Sequence, residues 1–141
     1  MGPRPVAPTV RALPAAFVLA TTATTFLAWG RSGERSRNSY ELVDVAERAG
    51  VLPGSLAGLA PLWFLVPAAC GLVVVAVAAR RHAVAGALAT TLGALVGTGA
   101  ILVARSPLVA EPAVVAAGLL GACTVLSGVA VLGTARKETA E

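Results

Sequence analysis

The sequence predicts an all-α integral membrane protein, a four-helix bundle with a short amphipathic helix in its first extracytoplasmic loop. Two observations lead to this fold class. The 141-residue chain is 57% hydrophobic and only 13% charged, with a mean hydropathy of +0.82, whereas soluble domains average about 25% charged residues. The chain also contains four long apolar stretches without any ionisable residue, each about long enough to cross a bilayer. These predicted spans are 12–29, 56–79, 83–104 and 113–135.

The first apolar stretch, 12–29, follows a segment rich in Pro and Arg, 1–11, that is predicted to be a disordered tail. A basic segment before an apolar run is typical of a signal peptide. However, 18 residues exceed the usual apolar core of about 7–15 residues in such peptides. The stretch also ends at Trp29, a residue type that is common at membrane interfaces. We therefore expect an uncleaved span, with a signal peptide as the alternative.

The second stretch, 56–79, contains two prolines with different expected effects. Pro61 lies in the predicted first turn, where a missing N–H loses no helical partner. Pro67 lies deeper, so we expect it to remove one backbone hydrogen bond and kink the helix. Polar segments join the remaining spans and end the chain, namely a turn at Arg80–His82 with a solvated His82, a connector at 105–112 and a tail at 136–141.

The basic residues predict the orientation of the chain. With the N-terminus inside, the cytoplasmic segments carry six basic residues against five outside, and the six lie in short segments directly at span ends. The positive-inside rule applies best there. Trp29 and Trp63 would then both lie at the outer interface, as in an aromatic belt. We expect a plasma-membrane protein with both termini in the cytoplasm.

The net charge of +4 does not indicate a nucleic-acid partner, because the basic residues are scattered in ones and twos and no docking motif is present. The spans themselves offer little chemistry. Intramembrane ionisable residues mark proton relays and ion paths, and the four predicted spans contain none.

The most polar feature inside a span is a run of hydroxyl residues in the first one. One interpretation is a hydroxyl-lined path or a contact with lipid headgroups. The other is hydrogen bonding to the preceding turn or to a neighbouring helix, which is the general use of such residues in spans. The run consists of Thr21, Thr22, Thr24 and Thr25.

Small residues in the last two spans are interpreted as helix-packing residues. Gly93 and Gly97 form a GxxxG motif, and Gly121 lies on a ridge of small residues in the fourth span. This spacing lets two helices approach closely. Replacing Gly93 or Gly97 by Leu is expected to weaken the fold or the assembly. Homodimerisation through these ridges is the alternative.

The two cysteines, Cys70 and Cys123, are expected at similar depth in the second and fourth spans. A disulfide or a metal pair is conceivable. Two thiols without other ligands make a poor zinc site, which takes four ligands. We therefore interpret both as small buried packing residues, and no metal or cofactor is predicted.

A polar island, Arg31–Gly54, interrupts the apolar sequence within the predicted loop 30–55. Asn38 and Glu41 have the spacing of a helix N-cap and its partner three residues later. Apolar residues then recur at helical spacing. A helix over Ser39–Ala49 is therefore predicted, followed by Gly50 in the position just past its end.

The island also supplies the predicted contact residues. Its Arg- and Ser-rich lead is expected to be mobile. The arginines there either meet anionic lipid headgroups or an acidic partner, or only keep the loop soluble. Arg48 is expected to pair with Glu41 or Asp44 across one helical turn. The predicted partner or lipid contacts are Arg31, Arg35, Arg37, Tyr40, Glu41, Asp44 and Arg48.

A catalytic interpretation of the island has no support, because the island holds neither His nor Cys to act as base or nucleophile. In its layout, and in the stretch from RSRNSYEL to AERAGVLPG, the chain resembles small four-span membrane proteins of actinobacteria that are described as uncharacterised. The resemblance brings no functional residue with it. We expect a non-enzymatic accessory or scaffold subunit whose outer loop binds a membrane-protein partner or the envelope. The alternative is a small transporter or channel subunit that functions only as a homo-oligomer.

Overall fold

The computed structural model describes residues 8–32, 34–50, 60–106 and 108–138 and shows a mostly helical chain with one small sheet. Two of its helical stretches are long and apolar enough to cross a membrane, His82–Ala104 and Pro112–Ala135. In chain order, the elements are α1 Pro8–Thr25, β1 Ala28–Ser32, β2 Arg35–Asn38, α2 Ser39–Arg48, α3 Ala60–Trp63, α4 Val66–Ala78, α5 His82–Ala104, β3 Val109–Ala110 and α6 Pro112–Glu138.

The first and last helices extend into the predicted tails. α1 begins at Pro8 instead of residue 12, and α6 continues to Glu138 instead of ending at residue 135. Proline suits the first helical position because its φ angle is already helical. The residues after Thr134 include Ala, Arg, Lys and Glu, which are good helix formers and prolong α6. Residues 1–7 and 139–141 of the predicted tails lie outside the described part of the chain.

The first helix ends four residues earlier than the predicted span, at Thr25. The backbone N–H groups of Phe26 and Leu27 donate to carbonyls three residues back, at 3.2 and 3.1 Å. Such bonds tighten the end of a helix. The chain then becomes extended, so Trp29 lies in β1 rather than at the end of a span.

The predicted second span is not one kinked helix in the described residues. α3 ends at Trp63, the turn at Phe64 and Leu65 follows, and α4 begins at Val66. Pro67 is therefore near the start of a new helix, where its missing N–H costs no hydrogen bond. The expected interior kink is replaced by a complete break. The predicted start of this span, at residue 56, lies outside the described residues.

The sheet corrects the prediction of an all-α fold. Its strand order is β2-β1-β3, and both pairs are antiparallel. β1 pairs with β2 in a hairpin that places Gly30 opposite Arg37, and with β3 through Gly30 opposite Ala110. Most of the described residues of the Arg-rich lead therefore lie in paired strands, where a mobile segment was expected. Pairing satisfies backbone groups of both the lead and the distant 105–112 connector.

Close packing of α5 against α6 forms the centre of the bundle. A Cβ atom added at Gly93 would lie 2.7 Å from the Gly121 carbonyl oxygen, and one added at Gly86 would lie 2.8 Å from that of Gly128. The two glycine pairs are seven residues apart on each antiparallel helix, so the backbones stay close over about two turns. Gly97 differs, because an added Cβ there meets no atom within 4 Å.

Candidate functional site

The sheet and α2 form a folded cap over one end of the helices, and this cap contains all the charged residues predicted to make contacts. We define the cap as β1, β2, α2 and β3. Its α2 helix starts as predicted. Asn38 has an extended backbone, its side chain accepts from the Glu41 N–H at 2.9 Å, and the Glu41 carboxylate accepts from the Asn38 N–H at 3.1 Å. This reciprocal pair satisfies two N–H groups at the helix start. The helix ends at Arg48, and Gly50 follows with a φ of 63°, the conformation that glycine accepts most easily.

Ser39, the first residue of α2, attaches the cap to α1 and α3. It is only 2% exposed. Its hydroxyl donates to the Thr25 carbonyl at 2.6 Å and accepts from the Trp63 indole N–H at 3.0 Å. One side chain thus joins α1, α2 and α3. No local sequence pattern marks Ser39, because its partners are 14 and 24 residues away.

The two tryptophans pack beneath the cap instead of forming an exposed interfacial belt. Trp29 and Trp63 are 1% and 7% exposed, and their rings meet edge to face with centroids 5.6 Å apart. The Trp29 indole N–H donates to the Thr24 carbonyl at 2.7 Å. The Trp63 ring lies against Gly99 of α5, where an added Cβ would be 2.6 Å from the ring. Both tryptophans lie at the same end of the bundle, as predicted, but they are core residues there.

A different aromatic group faces outward at this end. Tyr40 lies between Phe26 and Phe64, with ring centroids 5.1 and 5.7 Å apart. Both phenylalanines are more than half exposed. The Tyr40 hydroxyl lies 3.0 Å from that of Thr25. Tyrosine with a bonded hydroxyl and an exposed aromatic surface is the residue arrangement expected at a membrane interface.

The threonine run of α1 is buried and largely hydrogen-bonded. Thr21 lies 2.7 Å from the Thr124 hydroxyl of α6, which links two helices. Thr24 and Thr25 donate back to carbonyls three residues earlier, each at 2.6 Å. The Thr22 hydroxyl is buried without a partner. Three of the four hydroxyls therefore follow the packing interpretation.

The predicted contact residues fall into two groups. Most are engaged with other residues of the chain: Arg31 pairs with Glu111 at 3.0 Å, and Arg48 pairs with Asp44 at 2.8 Å. Tyr40 and Glu41 make the hydrogen bonds described above. By contrast, Arg35 and Arg37 form no ion pair with any residue that the structure describes. Arg35 is exposed and Arg37 is half-buried. The free cations of the cap are thus on β2.

The two cysteines do not share an environment. Cys70 is buried in α4, whereas Cys123 is exposed on α6, and both thiols are free. The expectation that both are buried packing residues is therefore wrong for Cys123, because α6 presents that face outward. Within the described ranges, no group of three or more His, Cys, Asp or Glu side chains is placed to hold a metal ion.

Comparisons with family models, curated proteins and solved structures found no match to this chain. A cap that is hydrogen-bonded to the helices below presents two unpaired guanidinium groups on an edge strand. Arginine in such a position can bind a carboxylate or a phosphate through two parallel N–H groups.

Proposed function

We propose that the chain is a four-span integral membrane protein that acts as a non-enzymatic accessory subunit, and that its cap binds a negatively charged partner outside the membrane. The exposed apolar surface supports the membrane setting. In the most apolar 18 residues of α5 and α6, only 28% and 39% are buried. Large side chains such as Val115, Leu119 and Leu126 are 63%, 65% and 69% exposed. Contiguous apolar surface of this kind is unfavourable in water, whereas lipid tails solvate it.

The remaining two spans are proposed to be α1 and the α3–α4 pair, which pack beside α5 and α6. The 18 residues of α1 extend about 27 Å at 1.5 Å per residue, close to the hydrocarbon thickness of about 30 Å. The 13 residues of α4 extend only about 20 Å, so α3 is needed to complete that span.

Charge supports an orientation with the cap outside and both termini in the cytoplasm. The turn at Arg80 and Arg81 lies at the end of the bundle opposite the cap, because α5 begins there and runs toward β3. The last turn of α6 contains Arg136 and Lys137 and lies at the same end. Basic residues in short segments at span ends favour the cytoplasmic side. The arginines of the cap belong to a longer folded segment, where this rule is weaker.

Arg35 and Arg37 carry the partner part of the proposal. They are alternate residues of β2, so both side chains project from the same face of the strand. β2 is an edge strand, with β1 on one side and no strand on the other in the described sheet. The capping box at Asn38 holds β2 against α2. A partner with carboxylate or phosphate groups thus meets two cations on a fixed backbone, which lowers the ordering cost of binding.

The test is co-purification of the full chain from native membranes with the variant R35Q/R37Q. Its matched control is R48Q/R105Q, which removes the same amount of charge from the same end of the molecule. With the first variant, we expect the amount of co-purified partner to fall at least about tenfold, equivalent to 1.4 kcal/mol of binding free energy. The control should retain it. Equal recovery of the partner with both variants would contradict the role of β2.

The alternative function, a transporter or channel subunit, needs polar side chains that face a shared aqueous path. The hydroxyls of Thr21, Thr24 and Thr25 are instead used in hydrogen bonds within the fold. These bonds favour the accessory function over the transport function.

A further inference from the structure

The structure points to a binding site for one zwitterionic phospholipid, of the phosphatidylethanolamine type, where β3 meets α6. We infer this site from a shallow groove of about 600 Å³. Its lining does not include Arg35 or Arg37, the residues proposed above to bind a partner. The inference rests on the membrane setting proposed above but not on the role of Arg35 and Arg37. The groove is lined by Ala110, Glu111, Pro112, Val115, Ala116 and Leu119.

The lower part of the groove fits an acyl chain. Pro112, Val115 and Leu119 follow one face of α6 at spacings of three and four residues. They cover about 10 Å of helix length, which is about two-thirds of one leaflet of a 30 Å hydrocarbon core. Val115 and Leu119 are 63% and 65% exposed in the protein alone. A chain lying along this face would cover both.

The upper part of the groove carries one ion pair with both signs of charge within reach of a headgroup. Arg31 Nε lies 3.0 Å from Glu111 Oε1, and the two side chains are 56% and 20% exposed. The Glu111 backbone is fixed to β1, because its N–H donates to the Trp29 carbonyl at 3.2 Å. Glu111 therefore lines the groove with Arg31 paired to it, and Arg31 is the more exposed of the two side chains.

Charge complementarity selects the headgroup. A phosphate accepts from the terminal N–H groups of Arg31, and the carboxylate of Glu111 has further acceptor sites after pairing with one arginine. An ethanolamine ammonium can donate to those sites. Choline has no N–H to donate. An anionic glycerol headgroup would place no positive charge beside Glu111. The Arg31–Glu111 pair therefore favours a headgroup that is itself a cation–anion pair.

The experiment is native mass spectrometry of the full chain extracted from nanodiscs that contain phosphatidylethanolamine, phosphatidylglycerol and phosphatidylcholine in equal amounts with identical acyl chains. We expect one retained lipid, with phosphatidylethanolamine favoured about tenfold over the other two. Glu111→Gln should reverse this order in favour of phosphatidylglycerol, because Arg31 then stands without a neighbouring carboxylate. The control D44N/R48Q, which neutralises the exposed ion pair of α2, should keep the wild-type order.

A second pair of variants tests the groove. Leu119→Trp should fill it and reduce retention of all three lipids at least about fivefold, whereas Leu126→Trp, on an exposed part of α6 outside the groove, should not. Equal retention of the three lipids by the wild type, a preference for phosphatidylglycerol, or an unchanged order in Glu111→Gln would each overturn the site. If the wild type is a dimer that Leu119→Trp dissociates and Leu126→Trp does not, the groove binds a second copy of the chain, and the lipid site is overturned as well. R35Q/R37Q should leave lipid retention unchanged, and Glu111→Gln should leave the co-purified partner unchanged, so the two proposals fail separately.

Discussion

Replacing Ser39 by Ala is expected to destabilise the attachment of the cap by about 2–6 kcal/mol. The Ser39 hydroxyl bonds both the Thr25 carbonyl and the Trp63 indole N–H. Because Ser39 is 2% exposed, water cannot replace the lost oxygen. A buried polar group left without a partner costs about 1–3 kcal/mol, and this substitution leaves two.

Tryptophan fluorescence is a direct assay, because the only two tryptophans of the chain pack against each other beneath the cap. Denaturant titration of the full chain in mild detergent should give a lower midpoint for Ser39→Ala and a red-shifted emission before global unfolding. Ser36→Ala is the control, since Ser36 is an exposed serine of β2 and exposed substitutions usually change stability by less than about 0.5 kcal/mol. A Ser39→Ala protein within that range of the wild type would refute the attachment role.

Two further predictions concern glycine packing and the helix cap. Gly93→Ala should lower the stability of the protein in detergent by about 1–3 kcal/mol through overpacking against Gly121. Gly97→Ala should be neutral or stabilise the protein by up to about 1 kcal/mol, since helix interiors favour Ala over Gly. Similar losses of stability for both variants in thermal unfolding would contradict the assigned contacts. Asn38→Ala should cost about 1 kcal/mol, which corresponds to about fivefold faster amide hydrogen exchange at Glu41 through local opening. Unchanged exchange there would show that the capping box adds no stability.

Gly93 and Gly97 show that sequence spacing alone does not predict which glycine packs against a neighbouring helix. The GxxxG spacing correctly draws attention to α5, but it treats Gly93 and Gly97 as equivalent. Only the placement of α6 separates them: Gly93 faces a carbonyl oxygen, while the missing side chain of Gly97 points into open space. Which small residue is essential depends on the relative rotation of two helices, which periodicity alone does not determine.

Features of α2 can be predicted from the sequence because the residues that form them are close together in the chain. The N-cap, the Asp44–Arg48 pair and the terminal Gly50 all act within four residues. The sheet was missed for the opposite reason. β1 and β2 consist mostly of Gly, Arg, Ser and Asn and contain no β-branched residue of the kind that favours strands. β3 pairs with a segment about 80 residues earlier. Only the antiparallel packing of the helices brings β3 to β1.

The same distinction between local and distant partners decides which arginines are free to act. In the sequence, Arg31, Arg35 and Arg37 are equivalent members of one basic lead. Arg31 loses that equivalence only because Glu111, at the start of α6, comes back to the cap end and pairs with it. This long-range contact places the Arg31 guanidinium beside Glu111, which lines the groove on α6, whereas Arg35 and Arg37 form no ion pair with any described residue. Exchanging Glu111 for Gln removes this ion pair, so it should change the order of lipid retention while the partner bound through Arg35 and Arg37 is retained.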